Sequence, residues 1–102
     1  MITQAIKQQV VARLNAHLGG LYNDHNVVLM ATHTHSGPGG YSHYHLYNLI
    51  SSGHDRKHLE LIVQGIVRAI VRADTNRTPG RIRFGEGQLL NASQNRSVAA
   101  YQ

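Results

Sequence analysis

Val27-Val28-Leu29-Met30-Ala31-Thr32-His33-Thr34-His35-Ser36-Gly37-Pro38-Gly39-Gly40 is the stretch on which the reading of the fold turns. It opens with a short apolar run, preceded by the turn residues Asn23-Asp24-His25-Asn26 and followed by a glycine-proline turn. Such a run reads as a buried, parallel strand, here over residues 26–31. In open α/β sheets ligands bind at the edge where strands end, which would bring His33 and His35 to a site. Side chains two apart in extended backbone share a side, so the pair faces one small volume. That is the geometry of a metal site or of an acid–base couple. The glycines beyond it let backbone amides approach a substrate oxyanion closely.

On the N-terminal side, Ile6, Val10, Leu14 and Leu18 recur every fourth residue, which predicts a helix over 3–18 that Gly19-Gly20 ends. On the other side, residues 32–54 lack a clean period and read as a long loop with one short helical turn. The tyrosines of Tyr41-Ser42-His43-Tyr44-His45-Leu46-Tyr47 either line an apolar channel or pack the loop onto the domain; both readings stand. Asp55 is the expected N-cap of a second helix over 56–75, whose Leu59, Ile62, Val63, Ile66, Val67, Ile70 and Ala73 make an apolar stripe. After Thr78-Pro79-Gly80, the alternation Arg81-Ile82-Arg83-Phe84 predicts a half-buried strand over 81–89, with Gly85 and Gly87 suggesting a bulge. The expected class is therefore α/β: a helix followed by a right-handed βαβ unit with a long glycine-, tyrosine- and histidine-rich loop.

Composition bounds what this arrangement can do. The 102 residues suffice for one small domain. The absence of cysteine excludes disulfides, thiolate metal sites and thiol catalysis. Ten Lys and Arg against five Asp and Glu give a net charge of +5, but the cations are scattered and carry no nucleic-acid signature. No signal peptide is visible, and no stretch approaches the roughly 20 apolar residues of a membrane helix.

Zinc accepts imidazole nitrogen, and a catalytic zinc takes three protein ligands with one open position. His33 and His35 offer two. The five carboxylates, Asp24, Asp55, Glu60, Asp74 and Glu86, all lie outside the loop, and no third ligand stands out. His43-Tyr44-His45 repeats the spacing, either completing a site or hydrogen-bonding within the loop. Arg96 is a fixed cation with a planar donor fork, suited to a substrate oxygen or to solvent.

Ala31-Thr32-His33-Thr34-His35-Ser36-Gly37-Pro38-Gly39-Gly40-Tyr41 closely resembles the signature of the neutral, non-lysosomal ceramidases, zinc amidohydrolases that split ceramide into sphingosine and a fatty acid. The resemblance continues through Gly65-Ile66-Val67, Pro79-Gly80 and Asn95-Arg96-Ser97. It implies that His33 binds zinc, that His35 binds or protonates the amide, and that Arg96 belongs to the same site. It implies a secreted or membrane-associated setting, ceramide or a related N-acyl sphingolipid as substrate, and contact with a membrane surface through that substrate. Family enzymes are several times longer, and their other zinc ligands, a histidine, a glutamate and a tyrosine, lie downstream. Residues 1–102 accordingly read as one partial catalytic domain, an internal piece of a larger α/β domain with reduced activity alone. Two rival readings are a non-catalytic βαβ piece that associates with partner chains or with itself, and a small basic nucleic-acid-binding module.

Overall fold

The structure, a computed structural model, describes residues 1–100 and 102. Its elements are helical: α1 (Gln4–Leu18), α2 (His45–Asn48), a 3-10 turn at Leu49–Ser51, α3 (Arg56–Thr75) and a 3-10 turn at Val98–Ala100. Both long helices begin where a short polar side chain replaces a missing backbone partner. The Thr3 hydroxyl accepts from the Ile6 N–H at 3.5 Å, and the Asp55 carboxylate accepts from the N–H groups of Lys57 and His58 at 2.8 and 3.1 Å. These bonds hold the Asp55 carboxyl below its usual range, the His58 N–H contributing most. α1 ends at Gly19, whose left-handed φ of 61° turns its N–H onto the Asn15 carbonyl.

The two helices pack through the stripes that their periodicity creates. Ile6, Val10, Leu14 and Val63 are fully buried, with Val11, Val27, Leu59 and Val67 nearly so. A polar clamp flanks this seam: Arg13 donates to both oxygens of Glu60 at 2.7 and 2.6 Å, and Gln64 donates to the same carboxylate at 2.6 Å. The Arg13 fork, then Gln64, lowers the Glu60 carboxyl from 4.5 to about 2. At the far end of α3, the Tyr22 hydroxyl donates to Asp74 at 2.7 Å, and the same carboxylate pairs with Arg77.

No strand or sheet forms among the described residues, so the α/β expectation is corrected to a helical fold. A helix closes its hydrogen bonds within itself, whereas a strand exists only against another strand. Neither 26–31 nor 81–89 makes a backbone ladder with any described residue. In the first run Val27 is buried and Leu29 half-buried, while Val28 and Met30 face outward; one side of it meets the helices. In the second, Ile82 and Phe84 are 92% and 102% exposed, so that run rests on nothing. The whole chain shows the consequence. Its radius of gyration is 18.1 Å, against roughly 13 Å for a compact chain of about this length. It exposes 9126 Å², well above the ~5,700 Å² that surface scaling gives a compact monomer of this mass.

With so small a core, single truncations are costly. Leu14→Ala is expected to destabilise the chain by about 2–5 kcal/mol, measured by urea titration followed by helical circular dichroism. The acid side tests the clamp. A carboxyl whose folded value is depressed contributes stability above its unfolded value and loses it as pH falls through the folded one. The urea midpoint should therefore decline between pH 4.5 and about 2, and Glu60→Gln should flatten that decline.

Candidate functional site

The chain leaves the α1–α3 seam at Leu29 and runs outward into the two histidines. His33 has a φ of 62°, in the left-handed region that non-glycine residues seldom occupy. This kink turns the backbone between Thr32 and Thr34, and it brings the two imidazoles together. The rings of His33 and His35 stack with centroids 4.9 Å apart and planes 15° from parallel. They line an open hollow of about 680 Å³ together with Met1, Ile2, Ala31, Thr34 and Tyr41. Aliphatic and aromatic carbon supplies much of that lining, with imidazole and hydroxyl groups among it.

The loop beyond is ordered by its own polar groups. Asn48 and Ser42 are buried and exchange two hydrogen bonds, the Asn48 amide donating to the Ser42 carbonyl and accepting from the Ser42 N–H. His54 Nδ1 meets the same carbonyl at 3.0 Å. The Asp55 N–H donates to the Gly40 carbonyl at 2.7 Å, tying the base of the loop to the start of α3. Two glycines make this closure possible. A Cβ on Gly39 would lie 2.5 Å from Ser51 Oγ, and Gly40 adopts a φ of 82°. Tyr41, half-buried, both lines the hollow and donates its hydroxyl to the Met1 carbonyl at 3.0 Å, so at this residue the lining and packing roles coincide.

The other candidates stand apart. His43 lies against Tyr44, the rings tilted by 39° with centroids 3.9 Å apart, and His45 is exposed at the start of α2; neither lines the hollow. Arg96 is exposed in the C-terminal segment and is not part of the lining. Among the described residues, no group of three or more His, Asp or Glu gathers in a metal-binding arrangement. Three of the five carboxylates have other work: Asp55 caps α3, Glu60 holds Arg13 and Asp74 holds Tyr22 and Arg77. The imidazoles of His33 and His35 offer nitrogen donors of the kind zinc accepts, but no third donor gathers beside them among the described residues. Thr34 is a lining residue that spacing alone does not reveal, whereas Tyr41 belongs to the tyrosine-rich run read as lining a channel or packing the loop. The left-handed backbone at His33 has a faint signal, since histidine tolerates that region better than most residues.

Residues 1–102, the whole chain, match the sequence model of a family described as "Neutral/alkaline non-lysosomal ceramidase, N-terminal". The chain belongs to this family. It is 52% identical to the neutral ceramidase of Pseudomonas aeruginosa over 101 residues, which is 99% of this chain and 15% of that protein. It is 45% identical to the neutral ceramidase of Oryza sativa, again over 99% of this chain and 13% of the relative. The crystal structure of the Pseudomonas aeruginosa neutral ceramidase superposes with a TM-score of 0.91 over 99% of this chain and 16% of that one. A ceramidase complexed with C2 superposes with a TM-score of 0.90, at 52% identity and the same coverage. The chain therefore spans about one-seventh of the length of these ceramidases. No described helix is long and apolar enough to cross a membrane.

The closeness of Gly39 to Ser51 yields a direct test. Gly39→Ala should displace the loop, read as movement of the Gly40 and Tyr41 amide signals in NMR spectra. Adding Ser51→Gly should return them, because it removes both atoms that the new methyl meets.

Proposed function

We propose that this chain carries one wall of the active site of a zinc-dependent ceramidase, which hydrolyses the N-acyl amide of ceramide to sphingosine and a fatty acid. The observation that carries the reading is the family match across the whole chain, together with the two stacked imidazoles that line a partly apolar hollow. In this reading His33 is a zinc ligand, His35 acts on the substrate amide and Arg96 serves the same site. Nearly parallel rings do not aim their nitrogens at one point, which favours separate tasks for the two histidines over joint coordination. Zinc, when bound, polarises the carbonyl and supplies an activated water.

The chain's own residues account for the rest of the chemistry. Hydrolysis adds water across the C–N bond: the acyl carbon gains oxygen and the leaving nitrogen must gain a proton. His35 is the group on this wall able to hold and deliver that proton. Ala31, Ile2 and Tyr41 offer carbon surface to the alkyl part of the substrate. Arg96, permanently cationic, offers a planar fork to a substrate oxygen or to the fatty-acid carboxylate after cleavage. The missing zinc ligands come from outside these residues, so the isolated chain is expected to turn over ceramide poorly or not at all. A secreted or membrane-associated setting suits a substrate that resides in lipid.

Metal analysis and a ceramide hydrolysis assay on the purified chain test this. Zinc is expected to bind weakly, and His33→Asn, which suits the left-handed backbone but removes the imidazole, should abolish binding. Full turnover by the isolated chain would defeat the one-wall reading. Zinc binding unaffected by His33→Asn would defeat the ligand assignment.

A further inference from the structure

The geometry points to His58, in the first turn of α3, as a positioning residue for Tyr41, which lines the hollow together with the two histidines. The inference rests on the amidohydrolase reading for its functional meaning and on contacts within the chain for its structure. His58 Nδ1 lies 2.7 Å from the carbonyl oxygen of Gly39, nineteen residues away in sequence. A carbonyl only accepts, so Nδ1 carries the proton and the ring donates. The same ring packs against Tyr41 in a T-shaped arrangement, with centroids 5.3 Å apart and planes at 87°. Tyr41 lines the hollow together with His33 and His35.

Three features make this contact more than a surface hydrogen bond. First, it is paired. The carbonyl of Gly39 receives the His58 ring, and the next carbonyl, that of Gly40, receives the Asp55 N–H at 2.7 Å. Two consecutive carbonyls fixed from one helix end define the direction in which the chain enters Tyr41. Second, the segment held is otherwise soft, since Gly37, Gly39 and Gly40 place few restrictions on their own dihedrals. Third, the holder is itself held. The His58 N–H donates to Asp55 at 3.1 Å, so the ring projects from a capped helix packed on the core. Of the two carbonyl contacts, only that of His58 comes from a side chain, and it can be removed without altering the backbone.

The test compares His58→Leu with His58→Asn in the isotopically labelled 102-residue chain. Asparagine can place an amide N–H near the position of Nδ1, whereas leucine fills space without donating. With helical circular dichroism unchanged, His58→Leu should move the ring signals of Tyr41 and the imidazole signals of His35. It should also speed exchange of the Asp55 amide by about five- to tenfold, the effect of losing one neutral hydrogen bond. His58→Asn should keep all three close to those of the parent chain. Parent-like Tyr41 and His35 signals in a folded leucine variant would overturn the assignment, as would an asparagine variant displaced as far as the leucine one. Where leucine prevents folding, the asparagine variant decides by the same signals. A short-chain ceramide that leaves the parent's His33 and His35 signals unmoved would count against the amidohydrolase reading, and the His58-dependent shifts are read without any ligand.

Discussion

The apolar seam between α1 and α3 is the constraint that the rest of the molecule depends on. Ile6, Val10 and Leu14 from one helix and Leu59, Val63 and Val67 from the other make up most of the buried carbon of the chain. Both ends of the histidine-bearing segment are referred to it. Val27 and Leu29 pack against it before the histidines, and the capped start of α3 holds Gly39 and Gly40 after them. The segment between can adopt strained or glycine-dependent backbone because its two anchors are set elsewhere.

The distribution of charge follows from the same scaffold. The acidic residues resolved into contacts serve the helices: one caps α3, one clamps α1 to α3 and one gathers Tyr22 and Arg77. The hollow is thereby left with imidazole and hydroxyl groups beside carbon, and no described carboxylate completes a metal shell there. This is chemically coherent with one wall of a larger site.

What the sequence made legible was the local part. The stripes of Ile6 to Leu18 and Leu59 to Ile70, with Thr3, Asp55 and Gly19 at their ends, state helices in residues that touch one another within a few positions, and α1 and α3 run over Gln4–Leu18 and Arg56–Thr75. The strands were a different matter. Alternation at Ile82 and Phe84 describes a surface that suits a sheet, but pairing is a property of two segments, and no described segment meets this one. At the site, spacing put His33 and His35 on one side of an extended strand, whereas the rings in fact meet across the left-handed backbone at His33. Spacing says nothing of His58 as the holder of Tyr41, because a side chain reaching across nineteen residues leaves no periodic trace.

The left-handed backbone at His33 has a consequence for how the position can change over time. Two separate filters act there: the imidazole is the group proposed to bind zinc, and the φ of 62° excludes most side chains irrespective of chemistry. Branched residues such as valine or isoleucine are shut out by the main chain before any question of reactivity arises. A lineage that lost the chemistry would not drift freely at this position; it would move toward glycine, asparagine or aspartate. The identity of the replacement, more than the loss of histidine, would then record whether the turn itself outlived the activity.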